Sequence, residues 1–261
     1  MSQTLLISGP PGCGKTSWIL KRIQDHRGPS GYLRLSGYPD EGLIQGRDGG
    51  LDRAYLLDQV PALTDLADLD QALLPRSSSL LSLIELPQFH PPTEAGLDGV
   101  DPRVIPQLDA LHLKPDRHLH FGRDTELPIQ DTLDFRTLQS WSLNLHRSVV
   151  DPASLSSFWF ELVNGAYGDV YRAKALMNLP DGRAFFCNWI VSQEGSQFLP
   201  LRTIAQPNGR PIRLSRLIVQ GKDLNPAAIE ATIDDCLLSD AVLEMQQAPQ
   251  RARQTQTSPS I

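Results

Sequence analysis

Residues 9–16 read Gly-Pro-Pro-Gly-Cys-Gly-Lys-Thr, a complete G-x-x-x-x-G-K-[ST] phosphate-binding loop, and its flanks leave few folds open. Thr4-Leu5-Leu6-Ile7 in front of it is a short, continuously apolar run, as in a parallel strand covered on both faces. Behind it, Ser17-Trp18-Ile19-Leu20-Lys21-Arg22-Ile23 carries apolar residues at helical spacing. Strand, glycine loop and helix in that order predict an α/β domain on a mainly parallel sheet. Four fixed positions arise by chance in about one chain in a hundred of this size, so an ordinary glycine turn is the weaker reading.

The residue types follow from what a triphosphate needs. Gly9, Gly12 and Gly14 let the backbone curl so that its amides converge on phosphate oxygens, with no side chain in the way. Pro10, Pro11 and Cys13 complete the loop, and Ser17 follows it in the first helical turn. That turn adds unpaired N–H groups and the positive end of the helix dipole. Lys15 reaches toward the β- and γ-phosphates, as a binding and a catalytic residue, and the Thr16 hydroxyl is placed to ligate magnesium.

Composition sets the outer limits. A net charge of −6, with 40% hydrophobic and 21% charged residues, argues for a soluble globular protein and against nonspecific nucleic-acid binding. No run approaches the ~18 apolar residues of a membrane span, and the first residues do not read as a signal peptide. Cys13, Cys187 and Cys236 lie far apart, which suits reduced thiols in the cytoplasm better than a disulfide frame.

Along the chain, a second strand is expected at Tyr32–Leu35, a loop from Ser36 to Asp52, and a helix over Leu56–Leu74 interrupted by Pro61. Leu80–Glu85 reads as the next buried strand, and Arg117–Phe121 alternates like another. The expected organisation is a nucleotide-binding domain over 1–122, a linker over 123–144, a small α+β domain over 145–243 and a disordered tail over 244–261. Within the second domain, His146–Val150 reads as a strand and Pro152–Val163 as a helix capped by Asp151. Asp169–Leu179, Arg183–Val191 and Arg213–Val219 read as strands, and Pro226–Leu238 as a helix opened by Asn225.

Glu85 is the candidate second acid. At the end of a buried strand beside the loop, a carboxylate can hold magnesium or polarise the attacking water. Guanine readers use an Asn-Lys-x-Asp loop at a strand end, and Leu113-Lys114-Pro115-Asp116 keeps the last part of it, making Asp116 the candidate base contact. A plain surface turn is the competing reading of those four residues. His118 and His120 share a strand face, with His112 and His90 near in sequence, so a zinc or cobalt site is conceivable, though no thiolate spacing supports one.

The second half carries a family resemblance. Gly168-Asp169-Val170-Tyr171-Arg172-Ala173-Lys174-Ala175 resembles the V-x-R-A-K-G strand of the C-terminal domain of CobW-type GTPases. Pro152 to Leu162, with Phe158-Trp159, looks like that domain's preceding helix. Arg216 to Leu224, followed by an Asn-Pro-initiated helix, is similar to its closing strand and helix. The resemblance, to the CobW/HypB/UreG-like group, implies a magnesium-dependent GTPase that delivers a metal such as zinc or cobalt, with the C-terminal domain meeting a client protein. Three departures stand out: no C-x-C-C metal motif, Glu85-Leu86-Pro87-Gln88 where the group has an acid followed by Thr/Ser-Gly, and Leu113 in place of Asn. Two other readings remain: a non-hydrolysing, nucleotide-dependent binding module, and an ATP-dependent kinase-like enzyme, for which no Arg-rich lid is evident.

Overall fold

The structure, a computed structural model, describes residues 2–10, 12–35, 50–67, 79–86, 105–110, 113–126 and 139–257. The chain divides into two units, Met1–Arg136 and Thr137–Ile261.

In the first unit, β1 (Gln3–Ser8), α1 (Lys15–Asp25), β2 (Ser30–Arg34), α2 (Gly50–Gln59), β3 (Thr64–Asp65), β4 (Leu81–Glu85), α3 (Ile105–Ala110) and β5 (Arg117–His120) follow in sequence. The strands form one sheet in the order β3-β2-β4-β1-β5, and every pairing in it is parallel. This is the expected α/β architecture. Strand alternation divides the side chains between two faces. Leu5, Ile7, Tyr32, Leu83 and Leu119 pack with Ile19 and Ile23 of α1 and Leu56 of α2. Leu6, Leu33 and Ile84 point the other way and pack with Leu108 of α3. The helix expected over 56–74 begins earlier and stops before Pro61, whose ring cannot continue it; residues 68–74 lie outside the described ones.

The second unit comprises β6 (Gln139–Asn144), α4 (Pro152–Val163), β7 (Asp169–Asn178), β8 (Ala184–Ile190), β9 (Gln197–Pro200), β10 (Arg216–Lys222), α5 (Pro226–Cys236) and α6 (Asp240–Thr257). Its strands form an antiparallel sheet in the order β6-β10-β7-β8-β9. Phe158, Trp159 and Leu162 of α4 and Ile229 and Ile233 of α5 bury against Ala173, Ala175, Met177, Leu217 and Val219 of the sheet. Asp151 caps α4 as expected, accepting from Ser154 N at 2.9 Å, and Asn225 caps α5 through Ala228 N at 3.1 Å.

The sequence expectations differ from the structure in several places here: β9 is a strand they did not include, and the strand expected over Arg213–Val219 runs from Arg216 to Lys222. Residues 139–144, expected in a linker, form edge strand β6, because Trp141 and Leu143 pack on the core while the alternate residues face outward. His146–Val150 is not a strand; Ser148 N closes a turn on Leu145 O at 2.9 Å, and only Val150 makes a bridge, to Leu237. The tail expected to be disordered is helical through Thr257, and Gln247 on it is 1% exposed. Among the described residues no helix is long and apolar enough to cross a membrane.

Candidate functional site: the carboxyl edge of the parallel sheet

A parallel sheet gathers the carboxyl ends of its strands on one edge, where such folds bind ligands. Here that edge presents Arg34 (β2), Glu85 (β4), Ser8 with the loop after it (β1), and His120 (β5). In register, Ile7 lies beside Glu85 and Glu85 beside Arg34, while Ser8 lies beside His120.

The loop takes the shape that its glycines predict. Gly9, Gly12 and Gly14 have φ of 147°, 86° and 90°, and Gly14 is the N-cap of α1 with no side-chain cap. No acidic residue lies in the first turn of α1 itself, so the helix dipole there is not opposed by its own side chains. Lys15 is buried and folds back over the loop, its Nζ donating to Gly9 O at 2.8 Å and Pro10 O at 2.9 Å, with Cys13 Sγ at 3.7 Å. The ammonium is thereby held against the loop backbone. Ser17 follows on α1; Pro11 lies outside the described residues.

The next layer contains an acid that sequence reasoning missed. Thr16 Oγ1 donates to Asp52 Oδ1 at 2.7 Å, and Arg34 pairs with Asp52 Oδ2 at 3.2 Å. Asp52 sits in the first turn of α2 and is only 4% exposed, anchored by its neighbours Leu51, Tyr55 and Leu56 in the core. The one available signal was an acid opening a helix after Gly49-Gly50. Glu85 lies at the end of β4 as expected, buried, and accepts from Tyr32 Oη at 2.6 Å. Partial burial works against the Arg34 charge, but Glu85 and Asp52 outweigh it and raise its pKa further above the usual range. Burial, reinforced by Glu85, raises the Tyr32 hydroxyl well above its ordinary value. Thr16 and Glu85 offer hard oxygen donors of the kind that magnesium takes, with Asp52 behind Thr16, on the face that carries α1. Leu86, next after Glu85, is buried in the opposite core, while Pro87 and Gln88 are outside the described residues.

Asp116 requires a correction. It precedes β5 and so stands at the amino end of the strand, where its Oδ2 accepts from Thr4 N at 2.7 Å. The phosphate loop leaves β1 at the other end, past Ser8, so Asp116 cannot reach a base whose phosphates lie in that loop. The residues that follow β5 at the correct edge are Phe121-Gly122-Arg123-Asp124. Asp124 there accepts from His120 N at 2.8 Å and from Arg123, which also donates to His118 O at 2.9 Å. The Arg123 hydrogen bonds are the main reason its pKa falls, to about 2.

The histidines are also placed differently from a metal site. His118 Nε2 and His120 Nδ1 lie 2.6 and 2.7 Å from Ser8 Oγ, all three groups buried on the face away from α1. Strand alternation therefore separates them from Glu85. Burial first, then His118, Arg123 and Lys15, lower the His120 pKa to about 4 against the opposing Asp124. Its Nε2 is buried with no hydrogen-bond partner among the described residues. His90 and His112 lie outside those residues. Among the described residues no group of three or more His, Cys, Asp and Glu could hold a metal ion.

A parallel sheet with a glycine loop of phosphate-binding pattern after its first strand, followed by an antiparallel sheet under two helices, defines an α/β domain of P-loop type followed by a small α+β domain. Residues 138–237 match the family model described as the cobalamin synthesis protein cobW C-terminal domain. The second unit thus matches the CobW C-terminal domain, and the resemblance is borne out over that part of the chain. Similar solved structures include the Zn(II)-bound YjiA GTPase from E. coli, at 12% identity over 90% of this chain and 98% of that one, with a TM-score of 0.31. A Zn(II)-bound triple mutant of the same GTPase matches at 11% identity over 90% of this chain and 99% of that one, also with a TM-score of 0.31. A score that low carries no argument about this chain's arrangement. No curated protein matches it.

Proposed function

We propose that this chain is a GTP-binding protein of the CobW type, a slow magnesium-dependent GTPase of the cytoplasm that acts as a metal chaperone or regulator. The observation that carries the nucleotide reading is the loop itself: glycines at positive φ, the open first turn of α1 and the buried Lys15 ammonium above them. Gly9, Pro10, Gly12, Cys13, Gly14, Lys15, Thr16 and Ser17 would line the phosphates. Lys15 and the loop amides would stabilise charge on the transferring phosphoryl group, with water as the nucleophile. Magnesium, when bound, neutralises charge on the β- and γ-phosphates; Thr16 and Glu85 are the residues offered to it. The client protein would meet the CobW C-terminal domain, and zinc or cobalt is the cargo class that the family resemblance suggests.

One observation favours a second reading, a binding module that does not turn over. Glu85 is 3% exposed and held by Tyr32, whereas an acid that activates water has to touch it. Binding of GTP and ATP in competition, with Lys15→Ala as the control, tests the nucleotide claim; single-turnover phosphate release tests hydrolysis. A loss of at least ~100-fold in affinity in Lys15→Ala is expected, from removing a charge-assisted partner of the phosphates. Equal binding by the variant, or none by either protein, would refute the reading, and tight binding without phosphate release would select the non-hydrolysing module.

A further inference from the structure

A threonine that ligates a cation must present an oxygen lone pair to it and send its single proton elsewhere. For a residue in the first turn of a helix the alternatives are water or a carbonyl of the preceding turn. In this chain the proton has a dedicated acceptor, Asp52 Oδ1 at 2.7 Å, a length typical of a hydroxyl bonded to an ionised carboxylate. The acceptor is itself fixed. Arg34 holds its other oxygen at 3.2 Å, and α2 is anchored through Leu51 and Leu56, 1% and 0% exposed. The chain also leaves room for this arrangement at Gly50, where a Cβ would lie 2.9 Å from the Arg34 guanidinium.

We propose that Asp52 is the positioning residue of the magnesium site: it takes the Thr16 hydroxyl proton, and so turns the Oγ1 lone pairs toward the ion. Glu85, engaged by Tyr32, serves the site separately. The inference rests on the reading of the loop as a magnesium–nucleotide site, and goes beyond it in assigning the orienting acid to α2 instead of a sheet strand. Arg34 has a part in it too, since it steadies the Asp52 carboxylate and offsets negative charge that would otherwise repel phosphates.

The test uses the full chain with a non-hydrolysable GTP analogue, measuring Mn2+ affinity of the complex by electron paramagnetic resonance, and analogue affinity with Mg2+ or with EDTA. Wild type, Thr16→Val, Asp52→Ala and the double variant are compared. Outer partners of metal ligands typically contribute 10- to 100-fold in metal affinity, so about that loss is expected in Asp52→Ala, with analogue affinity in EDTA unchanged or higher. Because Asp52 acts through Thr16, the double variant should lose no more than Thr16→Val alone. Wild-type Mn2+ affinity in Asp52→Ala, or losses that multiply in the double variant, would overturn the proposal. Metal-independent binding by the wild type would overturn it while leaving the nucleotide reading intact; no binding of the analogue at all would overturn both. Should Asp52→Ala not fold, Asp52→Asn keeps the shape and an acceptor oxygen. It is expected to lose about 3- to 10-fold, the share of a charge-assisted bond above a neutral one, and wild-type affinity in it counts against the proposal.

Discussion

At Gly9 the backbone has φ 147°, and a Cβ built there would lie 2.7 Å from Phe121 Cβ and 3.0 Å from Cys13 Sγ. Gly9→Ala therefore combines a backbone conformation that side chains avoid with a clash against the residue that follows β5. It should destabilise the fold by about 2–4 kcal/mol, read from urea unfolding, and abolish nucleotide binding before it unfolds the chain. His120 gives a second residue-scale prediction. Its folded pKa of about 4 lies below the ordinary histidine value, so below pH ~6.5 the unfolded chain takes up a proton that the folded one refuses. The stabilisation is complete above pH ~6.5 and is lost as pH falls toward 4, by up to about 3 kcal/mol. Asp124, its pKa lowered to about 2, adds stability that is lost only below the ordinary Asp range, so the two effects separate in pH. Unfolding free energies between pH 4.5 and 7.5 should show this slope in the wild type and a flatter one in His120→Gln; parallel slopes would contradict it.

Among the elements, α6 is the one whose composition misleads. Its Gln, Thr and Pro content reads as a tail, and Pro249 lies inside it, yet Gln247 ties it down. The Gln247 amide donates to Pro180 O and Gly209 O, both at 3.1 Å, and its oxygen accepts from Gly209 N at 2.7 Å. Gln247→Ala strands backbone groups of two turns in a buried place and should cost about 2–3 kcal/mol, with faster amide exchange at Gly209. A change within ~0.5 kcal/mol would mean that water replaces the side chain without loss. The contrast with α4 is instructive. Asp151, Pro152 and the apolar spacing of Leu155, Phe158, Trp159 and Leu162 all agree with one another, so that helix was legible to the residue.

For the molecule as a whole, a ligand that binds only the folded state adds stability by mass action. If the proposed nucleotide site holds, magnesium and GTP at 100 times the dissociation constant should raise the unfolding free energy of the first unit by about 2.7 kcal/mol, and Lys15→Ala should remove that gain. Calorimetry that shows the same rise in the variant would point to binding elsewhere. The strand–loop–helix at the first strand, the acid ending β4 and the CobW-like strand at Gly168–Ala175 could be read from the sequence because each depends on neighbours within about ten residues. Asp116 was misplaced because direction along a strand, which decides whether a loop opens on the phosphate edge or the opposite one, is not written in a four-residue motif. Asp52 escaped notice because its meaning comes from Thr16, 36 residues away, and from packing that swings α2 onto the same face as α1. A phosphate loop between a buried strand and a helix can be read from the residues alone, since glycine φ freedom and apolar periodicity are local properties. Which carboxylate meets that loop was decided only by the tertiary structure, since strand order and face are set by burying side chains far apart in the chain.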